Sequence, residues 1–198
     1  MSFRIEEKLS IDSNKITDFK IFLNDKKSKK IYQTRKIRSL YFDNQSYEMY
    51  NDSIEGVRPR KKIRLRCYPN TEDKNIYLEN KISADEGRFK TKKLIDNSKI
   101  KYFKDKGIID SQYGICKPCI YITYIREYLL VDDVRVSIDT NINYTSYLNN
   151  FEQNDGRIVV EMKASIKKNL DELAEDFPFA KNRFSKYCNA IEKVILRQ

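Results

Sequence analysis

Seven stretches of the chain alternate charged with bulky residues at a period of two, the spacing that puts every second side chain on one face of a strand. Arg4, Glu6 and Lys8 oppose Phe3 and Ile5; Arg60, Lys62, Arg64 and Arg66 oppose Ile63 and Leu65; Glu79 and Lys81 oppose Ile76 and Leu78. Arg88, Lys90 and Lys92 have a weaker apolar partner in Phe89. Tyr124 and Arg126 oppose Tyr121 and Ile125, Arg135 and Asp139 oppose Val134, Val136 and Ile138, and Glu161 and Lys163 oppose Ile158, Val160 and Met162. A further strand is read over Ile37–Phe42, and the links Ser83–Glu86 and Asp132–Asp133 predict tight turns. Helical spacing predicts helices over Asn14–Leu23, over a short segment from Asp43 to Tyr50, over Asn97–Lys106 stopped by Gly107, and twice after Leu170: first with Leu173, Ala174 and Phe177, then with Phe184, Cys188, Ile191 and Val194. Lys26–Lys30 and Asn141–Asp155 read as loops.

About eight antiparallel strands with helices amount to an α+β chain. If the apolar faces pack under helices, the charged faces must turn together into a common interior. That favours an eight-stranded antiparallel β tunnel, a closed barrel with helices packed outside, over a barrel with an apolar lumen. One domain over residues 1–198 accommodates all of it.

Composition sharpens the chemistry. Lys and Arg number 39 against 29 Asp and Glu, a net charge of +10, which points to anionic partners. The chain has no histidine, which excludes a histidine base, a Ser-His-Asp triad and His-ligated metal. Catalysis would then run on carboxylates, lysines, arginines and oxygen-ligated cations. Of four cysteines only Cys116 and Cys119 are close. A zinc site would need all four to converge, and reduced thiols are the plainer reading. No run approaches the length of a membrane span and the first residues read as strand, so a cytoplasmic location is expected.

Rows of Arg and Lys from several strands suit a linear polyphosphate. Glutamates inside a basic set need their own reason, and ligation of Mg²⁺ or Mn²⁺ supplies one, with Glu161 first, Glu6 next and Glu79 third. The simpler alternative is a salt bridge to the lysine two positions on, as for Glu161 and Lys163. Arg60–Arg66 alone would also suit a nucleic acid. That reading predicts basic faces without embedded carboxylates, whereas three of these basic strands carry one, so no nucleic acid is expected.

In order along the chain, Arg4-Ile5-Glu6-Glu7-Lys8, Ser39-Leu40-Tyr41-Phe42-Asp43, Lys62-Ile63-Arg64-Leu65-Arg66-Cys67-Tyr68, Leu78-Glu79-Asn80-Lys81, Phe89-Lys90-Thr91-Lys92, Tyr124-Ile125-Arg126, Arg135-Val136-Ser137-Ile138-Asp139-Thr140, Val160-Glu161-Met162-Lys163 and Phe184-Ser185-Lys186-Tyr187 resemble the VTC-type polyphosphate polymerase domain of the triphosphate tunnel metalloenzymes, the CYTH-like superfamily. The resemblance implies a tunnel for triphosphate in which Lys8, Arg64, Arg66, Lys81, Arg126, Arg135 and Lys186 serve catalysis. Arg4, Lys62, Lys90, Lys92, Tyr124 and Lys163 would hold the substrate and Glu161 the metal. It implies ATP, triphosphate or polyphosphate as partner and phosphoryl transfer from ATP to polyphosphate as the reaction, with triphosphate hydrolysis or non-catalytic polyphosphate binding as alternatives. Arg4 stands where hydrolytic relatives carry a first glutamate, which favours the polymerase branch, and Lys92 replaces an arginine.

Overall fold

The structure, a computed structural model, describes residues 4–131, 134–165 and 184–197, and side chains outside 4–7, 12–13 and 164–165. In chain order the elements are β1 (Arg4–Asp12), α1 (Ile16–Asp25), β2 (Lys29–Asp43), α2 (Glu48–Glu55), β3 (Arg60–Cys67), β4 (Ile76–Ala84), β5 (Gly87–Ile95), α3 (Asn97–Lys106), β6 (Ile108–Asp110), β7 (Gly114–Val131), β8 (Val134–Ser146), β9 (Glu152–Asn154), β10 (Arg157–Ser165) and α4 (Lys186–Val194). The helix read from Leu170 to Phe177 lies outside the described residues.

The antiparallel, sheet-rich α+β architecture is as the periodicity predicts, but the strand count is ten rather than eight and hydrogen bonds among the described residues do not close the sheet. Ten strands are described, and their hydrogen-bonded order is an open path, β1-β10-β8-β7-β2-β3-β4-β5, with β6 on β7 and β9 on β8. Among the described residues no ladder joins β5 to β1. The physical reason lies partly in β5, whose residues Arg88 to Leu94 are all exposed and include Arg88, Lys90, Lys92 and Lys93. A cationic edge resists further pairing. The expected loop Asn141–Asp155 instead continues β8 to Ser146 and adds β9; Ile142, Tyr144 and Ser146 are buried in alternation, a strand signal diluted by the intervening Asn and Thr residues. β2 likewise begins at Lys29, inside the lysine run read as loop.

The chain divides into two compact units. The first comprises Met1–Lys36, Tyr124–Ile142 and Asn154–Phe184. Its core joins Leu9 and Ile11 of β1, Val134, Val136 and Ile138 of β8 and Ile158, Val160 and Met162 of β10 under Phe19 and Leu23 of α1. Register pairs Lys8 with Glu161 and Glu161 with Ser137, so the opposite face of the same three strands is polar.

The second unit comprises Ile37–Thr123, Asn143–Gln153 and Ser185–Gln198. Ile63 and Leu65 of β3 and Leu40 and Phe42 of β2 are buried on its apolar face. β4 and β5 form the predicted hairpin, closing at the Ala84–Gly87 pair. α3 starts and stops where the sequence places it, with the Asp96 carboxylate accepting from the Lys99 N–H and Gly107 beyond its end. No helix among the described residues is long and apolar enough to cross a membrane.

Candidate phosphate-binding faces

In the second unit, register places three rows of side chains across β3, β4 and β5 on one face. They are Lys62–Lys81–Lys90, Arg64–Glu79–Lys92 and Arg66–Tyr77–Leu94. These rows hold six cations and one carboxylate. Glu79, wholly buried, lies among three cations. Its Oε2 accepts from Arg64 Nε at 2.9 Å and Nη2 at 2.6 Å, with Arg66 Nη1 at 3.7 Å, and Lys90 Nζ lies 2.6 Å from Oε1. Burial alone would raise its pKa, but Arg64 and Arg66, with Lys90, outweigh it and hold the carboxyl at about 2. Lys92 leans away, its Nζ 3.5 Å from the Tyr77 ring centroid and 5.8 Å from that of Tyr68.

Two residues of β2 that sequence reasoning left without a role complete this face. Tyr41 pairs in register with Arg64 and Ser39 with Arg66. The Tyr41 hydroxyl accepts from Arg64 Nη1 at 2.7 Å and the Ser39 hydroxyl from Arg66 Nε at 3.0 Å. The same period of two that marked β3 could have found them. α4 covers the near end of the face. The Tyr187 ring stacks on Tyr41 at 5.1 Å, and its hydroxyl donates to Asp43, which also accepts from the N–H groups of Asn44, Met49 and Tyr50. Lys186 opens α4, and Ser185 caps it, accepting from the Cys188 N–H at 3.3 Å and from Lys62 Nζ at 2.8 Å. Burial lowers the Lys62 pKa. Ser185→Ala, which removes the cap, is expected to cost about 1 kcal/mol, read as a lower Tm.

In the first unit the polar face carries Lys8, Glu161, Lys163, Arg135 and Asp139. Glu6 pairs in register with Lys163, and Lys163 with Arg135. Arg4 pairs with Ser165, and the side chains of Arg4 and Glu6 lie outside the description. Asp139, wholly buried, takes a two-pronged bond from Arg126, Nε to Oδ1 at 2.5 Å and Nη2 to Oδ2 at 2.7 Å. Burial opposes charge on Arg126, yet Tyr124 and Asp139 hold its pKa well above the ordinary value. The guanidinium lies 5.4 Å from the centroid of the buried Tyr124 ring. Glu161, also buried, is held more loosely. Its Oε2 lies 3.5 Å from Lys163 Nζ and 3.8 Å from Arg126 Nη2, both beyond hydrogen-bond length.

The two carboxylates differ in how closely cations hold them. Glu79 has Arg64 and Lys90 at 2.6 Å, although its Oε1 makes no hydrogen bond of good geometry, whereas Lys163 and Arg126 stand 3.5 and 3.8 Å from Glu161. Among the described residues no three His, Cys, Asp or Glu side chains group to hold a metal, so an ion at Glu161 would draw its other oxygens from elsewhere. All four cysteines are free thiols.

Residues 3–195 match the family model of the VTC domain. The fold is also similar to solved structures. A candidate adenylate cyclase of Bacillus halodurans aligns at a TM-score of 0.64 and 13% identity over 98% of both chains. A candidate adenylyl cyclase from Hippeastrum, described as having a dominant triphosphatase activity, aligns at 0.60 and 13% over 96% of both. A candidate adenylate cyclase of Vibrio parahaemolyticus aligns at 0.55 and 11% over 96% of this chain and 98% of that one. No curated protein sequence matches the chain.

Proposed function

The chain belongs to the VTC domain family, and on that footing we propose that it is a metal-dependent enzyme of triphosphate or polyphosphate, transferring the γ-phosphoryl group of ATP to a polyphosphate end. The row Lys62–Lys81–Lys90 carries this reading. Like charges directly opposite one another on neighbouring strands repel, and a polyanion laid along the rows would relieve that repulsion. Arg64 and Arg66 supply planar donors fixed by Tyr41, Ser39 and Glu79, so they meet phosphate oxygens already oriented. The lysines supply mobile point charges.

Glu161 is the described carboxylate best placed to hold Mg²⁺ or Mn²⁺. Such an ion, when bound, spreads the charge that develops on the phosphoryl oxygens. Arg126, locked by Asp139, cannot swing onto Glu161 and displace it without stranding a buried carboxylate. A polyphosphate end is ionised before it attacks and requires no general base, in keeping with a chain without histidine.

Incubation with ATP and Mn²⁺ tests the reading, with ADP and long-chain polyphosphate as the expected products. Orthophosphate without chain growth selects hydrolysis instead, which the triphosphatase activity described for the Hippeastrum neighbour favours. Neither product under any divalent metal leaves a binding module. Arg66→Ala is expected to weaken tripolyphosphate binding about tenfold in calorimetry and to flatten its salt dependence. Glu79 keeps Arg64 and Lys90, so the fold should hold.

A further inference from the structure

Among the described residues, the groups bonded to or charged beside the Tyr41 hydroxyl are donors. Its hydroxyl oxygen accepts from Arg64 Nη1 at 2.7 Å, and Arg66 and Lys62 of β3 are its other charged neighbours. Glu79 of β4 pairs with Arg64, Arg66 and Lys90 and takes no hydrogen bond from Tyr41, the Tyr187 hydroxyl of α4 is turned to Asp43, and Asp43 itself is filled by four donors. The phenol is buried, 6% exposed, and among the described residues its proton has no acceptor. A buried hydroxyl proton without an acceptor is uncommon. Arginine and lysine offer no lone pair to receive it.

We propose that Tyr41 is a ligand-binding residue whose hydroxyl donates its proton in a hydrogen bond to a phosphate oxygen of the chain held by Arg64 and Arg66. This rests on the phosphate reading of the same face. An acceptor that enters a nest of cations is favoured if it is anionic, and a phosphate oxygen offers both the negative charge and the lone pair. Stacking on Tyr187 fixes the ring, and the Arg64 bond fixes the oxygen, so the proton is left as the one free element. Although burial alone would raise the phenol's pKa, Arg64, Arg66 and Lys62 bring it below the ordinary value, and a more acidic phenol is a stronger donor.

Two variants test this through the affinity for tripolyphosphate, measured by calorimetry without divalent metal in mildly acidic buffer. Tyr41→Phe keeps the ring stack and removes only the hydroxyl; it is expected to weaken binding about 10- to 100-fold. The full chain with 3-fluorotyrosine at position 41 keeps every contact and remains informative even if the phenylalanine variant is unstable. Fluorine strengthens the phenol as a donor and weakens it as an acceptor, so this chain is expected to bind more tightly than the unmodified one. Equal or weaker binding by the fluorinated chain would mean that the hydroxyl serves only to accept from Arg64, and the proposal fails alone. If the unmodified chain does not bind tripolyphosphate, the phosphate reading fails and takes this inference with it.

Discussion

Glu79→Ala is expected to destabilise the protein by about 3–5 kcal/mol, because it takes from the buried Arg64 and Arg66 the carboxylate they pair with. For a chain of this size that is a fall in Tm of about 10 °C. The acidity of the group points the same way. The carboxyl sits at about 2 in the folded protein against an ordinary 4.5, which corresponds to roughly 3 kcal/mol. The sign of the pH dependence follows. In the window between those values the unfolded chain takes up the proton and the folded one does not, so this stability is complete above pH 4.5 and disappears as pH falls toward 2. The variant should lack that component of acid sensitivity. Tripolyphosphate should also raise its Tm more than it raises that of the unmodified protein, since the anion supplies the missing negative charge. Thermal melts across acid pH, with and without the anion, check both statements. An unchanged Tm would mean that the four charges are not coupled.

Glu161→Gln is expected to do the reverse, with little loss of stability and a large loss of turnover. Lys163 and Arg126 lie 3.5 and 3.8 Å from it, beyond hydrogen-bond length, so the isosteric amide should cost less than Glu79→Ala does. If Glu161 holds the divalent ion, the amide, which carries no charge, should lower kcat at least about 100-fold. Tripolyphosphate affinity measured without metal should be unchanged or improved, because a negative charge has been removed from a cationic face. Steady-state rates with Mn²⁺ and metal-free calorimetry separate the two effects. Full turnover in the variant would move the metal to another residue.

Much of this molecule is legible in its sequence. The period of two placed the strands around Arg64, Glu79, Arg126, Arg135 and Glu161, the β4–β5 hairpin and the limits of α3, because those signals are local. The first turns of β2 were hidden. Lys29 to Lys36 bury nothing fully, so their strand is set by pairing in the ladder and leaves no apolar alternation to read. The open hydrogen-bonded order among the described strands was hidden for a similar reason, since pairing is a property of which strands meet and not of any one strand.

The chain's own order of residues determined that cations and carboxylates would share faces, for a strand can only turn alternate side chains together. It did not determine the fate of each carboxylate. Glu79 and Glu161 look alike in sequence, each with a lysine two positions on, yet Glu161 keeps its lysine at 3.5 Å while Glu79 is taken by Arg64 and Lys90 from the strands on either side. Cross-strand register made that choice. Period reports the face a side chain occupies, whereas its neighbours on that face come from strands as far apart in the chain as β1 and β10.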